Sequence, residues 1–356
     1  MAIWAVVKDP GGTAGVLPVV RVLRARGEEP LLFANGKAIE ILKKSDERYI
    51  ACELRAEEVL ERFGTPEVLL TSMCSQGGIG RDLVELLAGK VPTVALQDSW
   101  GSRLWTAWAE PDYRPDFICV NDEVGQNIVM HAWPEFPRDC VKVTGYPALD
   151  RYFDYDSAKS KQEVREKLGL KDPLSVVFFG GQIKRTGEVL SELVSALNDL
   201  DERVYFIPRQ HPRMMDDAPE QTALWLEALG RFRNGVLISD TAAFDAQSLI
   251  AASGVTVSMF STVLVEAAVM RKQNISMLYP DSGWAEFVAE TGGGMSESPI
   301  VDLGCSAKAT NREELTDCLI RGLWHRLCLE DSQKRTFSAD GKSAQRVANF
   351  ICSLTG

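Results

Sequence analysis

The sequence has few of the residues that build metal and redox centres. Only three of its 356 residues are histidines, and none of its eight cysteines stands in a C-x-x-C pair. Zinc sites and thiol redox motifs need closely spaced ligands, so the sequence supports neither. We interpret the cysteines as buried free thiols of a protein in a reducing compartment.

Positive charge and long apolar runs are also scarce. The chain has 39 Lys and Arg against 50 Asp and Glu, which gives a net charge of -11 and a pI of about 5.0. Nucleic acids and anionic membranes bind clustered Lys and Arg, so we expect neither as the main partner. No apolar run is long enough to span a bilayer, and the N-terminus lacks the features of a signal peptide. The sequence therefore predicts a cytoplasmic protein without a transmembrane segment.

The signature motifs of several large enzyme classes are missing as well. There is no G-x-S-x-G, P-loop or H-E-x-x-H, so hydrolase, NTPase and metalloprotease functions have no motif support. The length exceeds one ordinary core and fits two domains. With 45% hydrophobic residues, each domain has enough apolar side chains for a core of its own.

Apolar runs alternate with helix-periodic segments through most of the chain. This alternation predicts α/β domains, each with a parallel sheet covered on both faces. We predict a first domain at 1–150, a polar linker with a short amphipathic helix at 151–173, a second domain at 174–340 and a terminal helix within 341–356. Two such domains joined by a polar segment favour a binding site in a cleft between them.

Three places in the first domain follow predicted strands, where ligands of parallel sheets bind: residues 9–15, 72–80 and 97–101. Gly11 and Gly12 belong to a predicted glycine-rich loop, followed by a helix whose start is marked by Pro18. Such a loop lets backbone N–H groups approach a ligand, although many α/β proteins use it only as a tight turn.

Three carboxylates also follow predicted strands of the first domain, at positions where a general base is needed. They are Asp9, Asp98 and Glu123, and taken one at a time each is more typical of a helix cap or a surface group. Trp100, Trp105 and Trp108 are close together in the sequence, either as a platform for a sugar ring or lipid or as packing.

In the second domain, residues 253–278 read as strand, turn, helix and strand. Ser261 is a predicted N-cap, followed by Thr262, so the helix N-terminus is expected to hold an anion at the end of a strand. Glu266, about one turn further in, is placed to accept the hydroxyls of a ribose. The alternative is an ordinary capped helix with a solvated glutamate.

Two further stretches of the second domain carry candidate phosphate ligands. His211 follows a predicted strand between Arg209 and Arg213, and a histidinium there would stabilise a leaving diphosphate. The alternative is a partly exposed loop histidine. A second turn, Gly180, Gly181 and Gln182, precedes a helix, and its N–H groups are candidates for phosphate binding; a tight turn without a ligand is the alternative.

Three stretches together resemble the GT-B superfamily of nucleotide-sugar enzymes. DPGGTAGVLPVVRVLRARG, at 9–27, resembles the glycine-rich loop and helix of the N-acetylglucosaminyltransferase that makes lipid II. VKVTGYPALDRYF, at 141–153, resembles the end of the first domain in UDP-N-acetylglucosamine 2-epimerases. RQHPR at 209–213 and SMFSTVLVEAA at 258–268 resemble the histidine-proline and serine/threonine-plus-glutamate motifs of epimerases, bacterial sialyltransferases and lipid A disaccharide synthases.

The resemblance implies two Rossmann-like, doubly wound domains facing a cleft, with the nucleotide held mainly by the second. It implies that Glu266 binds ribose, that Ser261 and Thr262 bind the diphosphate, and that His211 contacts a phosphate or the leaving group. Such enzymes typically need no metal or other cofactor beyond the nucleotide-sugar substrate.

Two departures from the family patterns bear on the chemistry. Val16 directly follows GGTAG, so the histidine of the transferase loop is missing and the catalytic base is unassigned. Residues 180–182 lack the histidine-arginine-arginine-glutamate run of the 2-epimerases, which weighs against epimerase chemistry. The absence of both the loop histidine and the histidine-arginine-arginine-glutamate run is also compatible with a protein that binds a nucleotide sugar without turnover.

These patterns predict a metal-independent glycosyltransferase, as in polysaccharide biosynthesis. Its donor is a nucleotide sugar, UDP-type, and its acceptor is a saccharide, a lipid-linked saccharide or a protein. Asp9 or Asp98 is the expected base, and helix N-termini with His211 are expected to stabilise the leaving phosphate. The alternatives are an epimerase or hydrolase on the same fold, and a non-catalytic binding protein.

Overall fold

The computed structural model describes residues 2–73, 77–98, 100, 104–171, 173–291, 294–337 and 340–355. The chain divides into two compact units. The first comprises Met1–Phe153, Glu290–Met295 and Ala339–Gly356, and the second comprises Asp154–Ala289 and Ser296–Ser338. Two late segments of the chain therefore belong to the first unit, an arrangement that the sequence pattern did not indicate.

The first unit contains a seven-stranded parallel sheet in the order β3-β2-β1-β4-β5-β6-β7. All five residues of the central strand β1 are buried, as expected for a strand covered on both faces. The strands are β1 (Ile3–Val7), β2 (Leu31–Ala34), β3 (Ile50–Ala51), β4 (Val68–Ser72), β5 (Thr93–Leu96), β6 (Phe117–Val120) and β7 (Val141–Val143). The sequence predicted all of them except the short β3.

Helices cover this sheet. They are α1 (Pro10–Ala25), α2 (Lys37–Lys44), α3 (Ala56–Phe63), α4 (Ile79–Leu87), α5 (Glu123–Ala132) and the last helix of the chain, α16 (Ser343–Ser353). Val347 and Ile351 of α16 share one buried core with Val20 of α1. The carboxylate of Asp150 accepts hydrogen bonds from the amides of Ser343 and Ala344, at 3.0 and 2.7 Å, so the first turn of α16 is fixed to the first unit.

The prediction of a glycine-rich loop at 9–15 is wrong, because α1 begins at Pro10 and continues through Pro18. Asp9 is the N-cap, and its Oδ1 accepts a hydrogen bond from the amide of Gly12 at 2.7 Å. Proline is favoured in the first turn, where its missing N–H leaves no bond unmade. The cap and this proline outweigh the low helix propensity of glycine, so Gly11 and Gly12 are helical.

The second unit contains a six-stranded parallel sheet in the order β10-β9-β8-β11-β12-β13. Its strands are β8 (Ser175–Gly180), β9 (Val204–Arg209), β10 (Gly235–Leu237), β11 (Val255–Ser258), β12 (Gln273–Met277) and β13 (Ala307–Ala309). Apolar residues of both faces are buried: Phe179 and Val257 in one cluster, Phe178 and Ile207 in another.

The helices of this part of the chain are α6 (Ser157–Lys167), α7 (Thr186–Asn198), α8 (Met214–Asp217), α9 (Glu220–Gly230), α10 (Ala246–Ala252), α11 (Thr262–Val269), α12 (Trp284–Glu290), α13 (Pro299–Asp302), α14 (Arg312–Leu323) and α15 (Glu330–Thr336). The predicted linker at 151–173 is not a separate segment, because Val164 of α6 is buried with Phe178 in the second unit. Among the described residues, no helix is long and apolar enough to cross a membrane.

Candidate functional site

The helix N-terminus predicted in the second unit is present. Ser261 follows β11 in an extended conformation, and its side chain accepts a hydrogen bond from the amide of Val263 at 3.3 Å. Ser261 is partly buried, Thr262 is exposed, and α11 begins at Thr262. The first amides of α11 and its positive dipole end thus lie at the carboxyl edge of the sheet, where an anion is stabilised.

Glu266 is only partly exposed to solvent. Its side chain is partly exposed, but its Oε2 atom is buried. Burial lowers the pKa of Arg209, and the carboxylates of Asp245 and Glu266 oppose that lowering. The guanidinium also donates from Nη1 to the carbonyl oxygen of Phe244 at 2.7 Å. The structure therefore brings Arg209 and Glu266, which are distant in the sequence, into one electrostatic cluster.

Gly180 and Gly181 allow the end of β8 to pack closely against α11, α9 and the end of β9. A Cβ atom on Gly180 would lie 3.0 Å from Cγ1 of Val263 in the first turn of α11. A Cβ atom on Gly181 would lie 2.8 Å from the ring of Trp225. The amide of Gly181 donates to the carbonyl oxygen of Arg209 at 2.8 Å, which joins this loop to the end of β9.

The amides of this turn are engaged within the protein. Gly181 donates to Arg209, and the amide of Gln182 donates to Oγ1 of Thr186 at 3.2 Å. The expectation that these two N–H groups bind phosphate is therefore not supported. The turn instead packs against the end of β9 and the first turn of α11. The exposed Lys184 and Arg185 follow it in the sequence.

His211 lies just beyond β9 and is partly buried. Its Nδ1 atom accepts a hydrogen bond from the amide of Arg213 at 3.1 Å, which leaves the proton of the neutral ring on Nε2. Burial lowers the pKa of His211, the charge of Arg213 lowers it further, and Asp217 opposes both. The imidazole is therefore neutral at pH 7 in the free protein, and the predicted histidinium is replaced by an Nε2–H donor.

In the first unit, Asp9 and Asp98 flank one turn of helix. A Cβ atom on Gly11 would lie 2.9 Å from Oδ2 of Asp98 and 3.8 Å from Oδ1 of Asp9. A Cβ atom on Gly12 would lie 2.0 Å from Oγ of Ser72, at the end of β4. Two residues predicted separately from their strand ends thus meet at the first turn of α1, and both glycines are required there by space.

Two adjacent carboxylates follow β6, and the structure gives them different surroundings. Glu123 is exposed at the first position of α5, whereas Asp122 is partly buried. Its Oδ1 accepts from the amide of Gly125 at 2.7 Å, and both its oxygens lie 3.0 Å from Nε1 of Trp100. Burial raises the pKa of Asp122, while these hydrogen bonds oppose the rise. Its place at the N-cap was the signal that could have identified it.

Gln97 begins the ligand stretch predicted at 97–101. Gln97 follows β5, is 1% exposed, and has neither its Oε1 nor its Nε2 in a hydrogen bond within the described ranges. A Cβ atom on Gly125 would lie 2.4 Å from that Oε1, so the side chain packs on the first turn of α5. Ser75, Gln76, Ser99 and Gly101 of the predicted ligand loops lie outside the described residues.

The three tryptophans do not form a common platform. Trp108 is buried in the core at 1% exposure, Trp105 packs beside His131 with ring centroids 6.4 Å apart, and Trp100 binds Asp122.

The polar segment at 151–173 contains an Asp-Tyr-Asp sequence at 154–156. Its second aspartate has a local structural role, because Oδ1 of Asp156 accepts a hydrogen bond from the amide of Lys159 at 2.9 Å and caps α6.

The two parallel α/β sheets confirm the two-domain GT-B fold expected from the sequence, and several solved structures share this fold. The chain is similar to a UDP-GlcNAc 2-epimerase from Neisseria meningitidis solved with UDP-GlcNAc, with a TM-score of 0.72 and 12% identity over 99% of this chain and 100% of that one. It is also similar to a glycosyltransferase from Rickettsia africae, with a TM-score of 0.66 and 13% identity over 99% and 98% of the two chains.

A third similar structure is MurG from Acinetobacter baumannii, with a TM-score of 0.58 and 12% identity over 99% of this chain and 100% of that chain. No protein-family model matches the chain, and no curated protein matches its sequence. These structural similarities establish the fold. At such low sequence identity the reaction has to be argued from the residues.

Proposed function

We propose that this protein is a metal-independent glycosyltransferase that uses a nucleotide-sugar donor of the UDP type. Its acceptor is a saccharide, a lipid-linked saccharide or a protein. The second unit would bind the donor, with Glu266 on the ribose hydroxyls and the N-terminus of α11, at Ser261 and Thr262, on the diphosphate. Arg209 and the Nε2–H of His211 would donate to phosphate oxygens.

One observation carries this proposal: the partly buried Glu266 lies within electrostatic range of Arg209 and one turn inside a capped helix N-terminus. A carboxylate so placed accepts hydroxyl hydrogen bonds, and an N-terminus with a guanidinium binds a dianion. A nucleoside diphosphate has both groups in that order, since its ribose and phosphates are adjacent. The similarity to a 2-epimerase that was solved with UDP-GlcNAc supports the same donor class.

In the first unit, Asp9 or Asp98 would serve as the base in transfer. The acceptor hydroxyl would attack the anomeric carbon, its proton would pass to the carboxylate, and the bond from that carbon to the diphosphate oxygen would break. A general base contributes roughly 10²- to 10⁴-fold to such a step. Asp9 also caps α1 through Oδ1, so replacing Asp98 tests base catalysis without removing a helix cap.

A donor screen tests the proposal. Calorimetry with UDP-, CMP-, GDP- and dTDP-sugars is expected to show saturable binding of at least the UDP compounds without added metal. The titrations are then repeated with about 1 mM EDTA, which is in excess over the protein. They are expected to give the same affinity. Absence of binding by every nucleotide and nucleotide sugar would reject the proposal.

An epimerase or hydrolase on the same fold is the second candidate, supported by the similarity to the Neisseria 2-epimerase. Incubation of the UDP-sugar without an acceptor separates the two, since only this second class releases free nucleotide or an epimerised sugar at a useful rate. A non-catalytic binding protein would give a third result. It would bind the donor with the same affinity in the wild type, Asp9→Ala and Asp98→Ala, and it would show no turnover on any acceptor.

A further inference from the structure

Three aromatic side chains of the second unit form a cluster that the proposed donor site does not use. Phe260 directly precedes the cap residue Ser261, and Trp284 and Phe287 lie on α12. The ring centroids are 5.4 Å apart for Phe260 and Trp284, 5.7 Å for Phe260 and Phe287, and 5.4 Å for Trp284 and Phe287. All three are partly buried, so each ring keeps some surface open to solvent.

The cluster is held beside the loops that form the proposed site. Oε1 of Glu286 on α12 accepts a hydrogen bond from Nη2 of Arg185 at 2.8 Å. Arg185 has a left-handed backbone, with φ of 58°, directly before α7. A non-glycine residue in that conformation costs about 1 kcal/mol or more, so the surrounding structure fixes it there. Through this ion pair, α12 is tied to the turn that contains Gly180 and Gly181.

Strand order fixes the sequence of groups along the carboxyl edge of this sheet. Adjacent strands β10, β9, β8, β11 and β12 are followed respectively by Phe244, Arg209, the turn at Gly180, Ser261 and the segment with Trp284. Neighbouring strands lie about 4.8 Å apart, so these loops form a row in this order. In the proposed function the diphosphate lies at Ser261, with the ribose on Glu266 and with Arg209 and His211 on the phosphate oxygens. Because Phe260 directly precedes Ser261 and packs on Trp284 of the segment after β12, the cluster lies beside the diphosphate, to which the donor's sugar is attached.

We propose that Phe260, Trp284 and Phe287 form a platform for the donor's sugar ring and select a neutral pyranose with an uninterrupted face of C–H groups. Aromatic faces are electronegative and attract such C–H groups, whereas they repel a carboxylate. This inference rests on the proposed function, because it assumes that the diphosphate lies at Ser261.

The test compares a nucleotide that lacks the sugar with two that have it. Calorimetry would measure the Kd values of UDP, UDP-glucose and UDP-glucuronic acid for the wild type, Trp284→Leu and Trp284→Phe. Trp324→Leu is the matched control, since Trp324 is 56% exposed at the end of α14 in the same unit. Trp284→Leu keeps apolar volume but removes the aromatic face, and Trp284→Phe keeps a face.

The wild type is expected to bind UDP-glucose more tightly than UDP-glucuronic acid. Trp284→Leu is expected to weaken UDP-glucose about five- to tenfold, to leave UDP within about twofold, and to match the wild type for UDP-glucuronic acid. Trp284→Phe is expected to recover most of the loss, and Trp324→Leu to change nothing. If Trp284→Leu does not fold, the ratio of UDP to UDP-glucose affinity in Trp284→Phe and Phe260→Leu provides the same comparison.

Two results would overturn the inference. Equal weakening of UDP and UDP-glucose in Trp284→Leu would show that the cluster only supports the nucleotide site, and unchanged Kd values would show that no sugar reaches it. Failure of the proposed function gives a different result, because the wild type then binds none of the three ligands.

Discussion

Arg209 and Glu266 interact electrostatically across two different strand-to-loop junctions of the second unit. Burial lowers the pKa of the guanidinium, and the Glu266 carboxylate opposes that lowering together with Asp245. Because the arginine also binds the carbonyl oxygen of Phe244, it is fixed in position before any ligand arrives. Arg209 is thus a donor held in place, and the carboxylate of Glu266 lies within its electrostatic range on α11.

Ligand binding is expected to become pH-dependent through His211. Its pKa is lowered in the free protein, and a bound diphosphate favours the protonated ring, so UDP affinity is expected to rise as the pH falls below about 6.5. Calorimetry from pH 8 to pH 5 would measure this rise in the wild type and its loss in His211→Gln. An identical pH profile in both proteins would contradict the assignment.

The same group affects the stability of the free protein. A histidine with a lowered folded pKa binds fewer protons than in the unfolded chain, so stability falls as the pH drops below the unfolded value of about 6.5 toward the folded pKa. Urea unfolding at pH 7.5 and pH 5.5 is expected to show a larger decrease in unfolding free energy for the wild type than for His211→Gln. His131→Gln serves as the matched control, and an equal effect from it would contradict the prediction.

Replacing Asp9 is expected to lower the stability of the protein, whereas replacing Asp98 is expected to lower its turnover. Asp9→Ala removes the cap of α1 and should cost about 1 kcal/mol of unfolding free energy. Asp98→Asn should lower turnover by about 10²-fold or more while leaving UDP affinity unchanged. Chemical denaturation and UDP release in the presence of an acceptor panel measure the two effects. Full turnover in Asp98→Asn together with lost turnover in a folded Asp9→Asn would reverse the assignment.

Crowding at the first turn of α1 gives a prediction on stability alone. Gly12→Ala places a Cβ atom 2.0 Å from Oγ of Ser72, so a backbone or side-chain shift is unavoidable. We expect a loss of about 1–3 kcal/mol in unfolding free energy by chemical denaturation. Gly230→Ala is the control, because its Cβ atom meets nothing within 4 Å at the end of α9. Equal stability of the two variants would show that the turn adapts.

Local patterns predicted most of the strands and the cap at Ser261, because apolar runs and hydroxyl caps depend on residues close in sequence. The same reasoning failed at Asp9, where two glycines suggested a loop but Pro10 and the Asp9 carboxylate start a helix. It also passed over Asp122, although aspartate is a favoured N-cap residue and stands directly before α5.

Contacts that depend on strand order could not be derived from local pattern. Arg209 and Glu266 come within electrostatic range because only β8 separates β9 from β11 in the sheet. The rings of Phe260 and Trp284 are in contact because β11 and β12 are neighbouring strands. The return of α16 to the first unit is equally non-local, since it is fixed by Asp150 and by packing on α1. Local pattern supplied Glu266 and His211 as candidates, the family resemblance pointed to the same two residues, and the structure supplied their neighbours.

The most direct test of the account is the affinity of UDP for Glu266→Gln, measured by calorimetry at pH 7. The substitution keeps the shape of the side chain and removes its charge, and Glu227→Gln on the exposed face of α9 is the control. The account predicts a loss of about 10- to 100-fold, as for a hydrogen bond to a charged group, with a cooperative unfolding transition retained and the control unchanged. Wild-type affinity in Glu266→Gln, with UDP still bound, would contradict it.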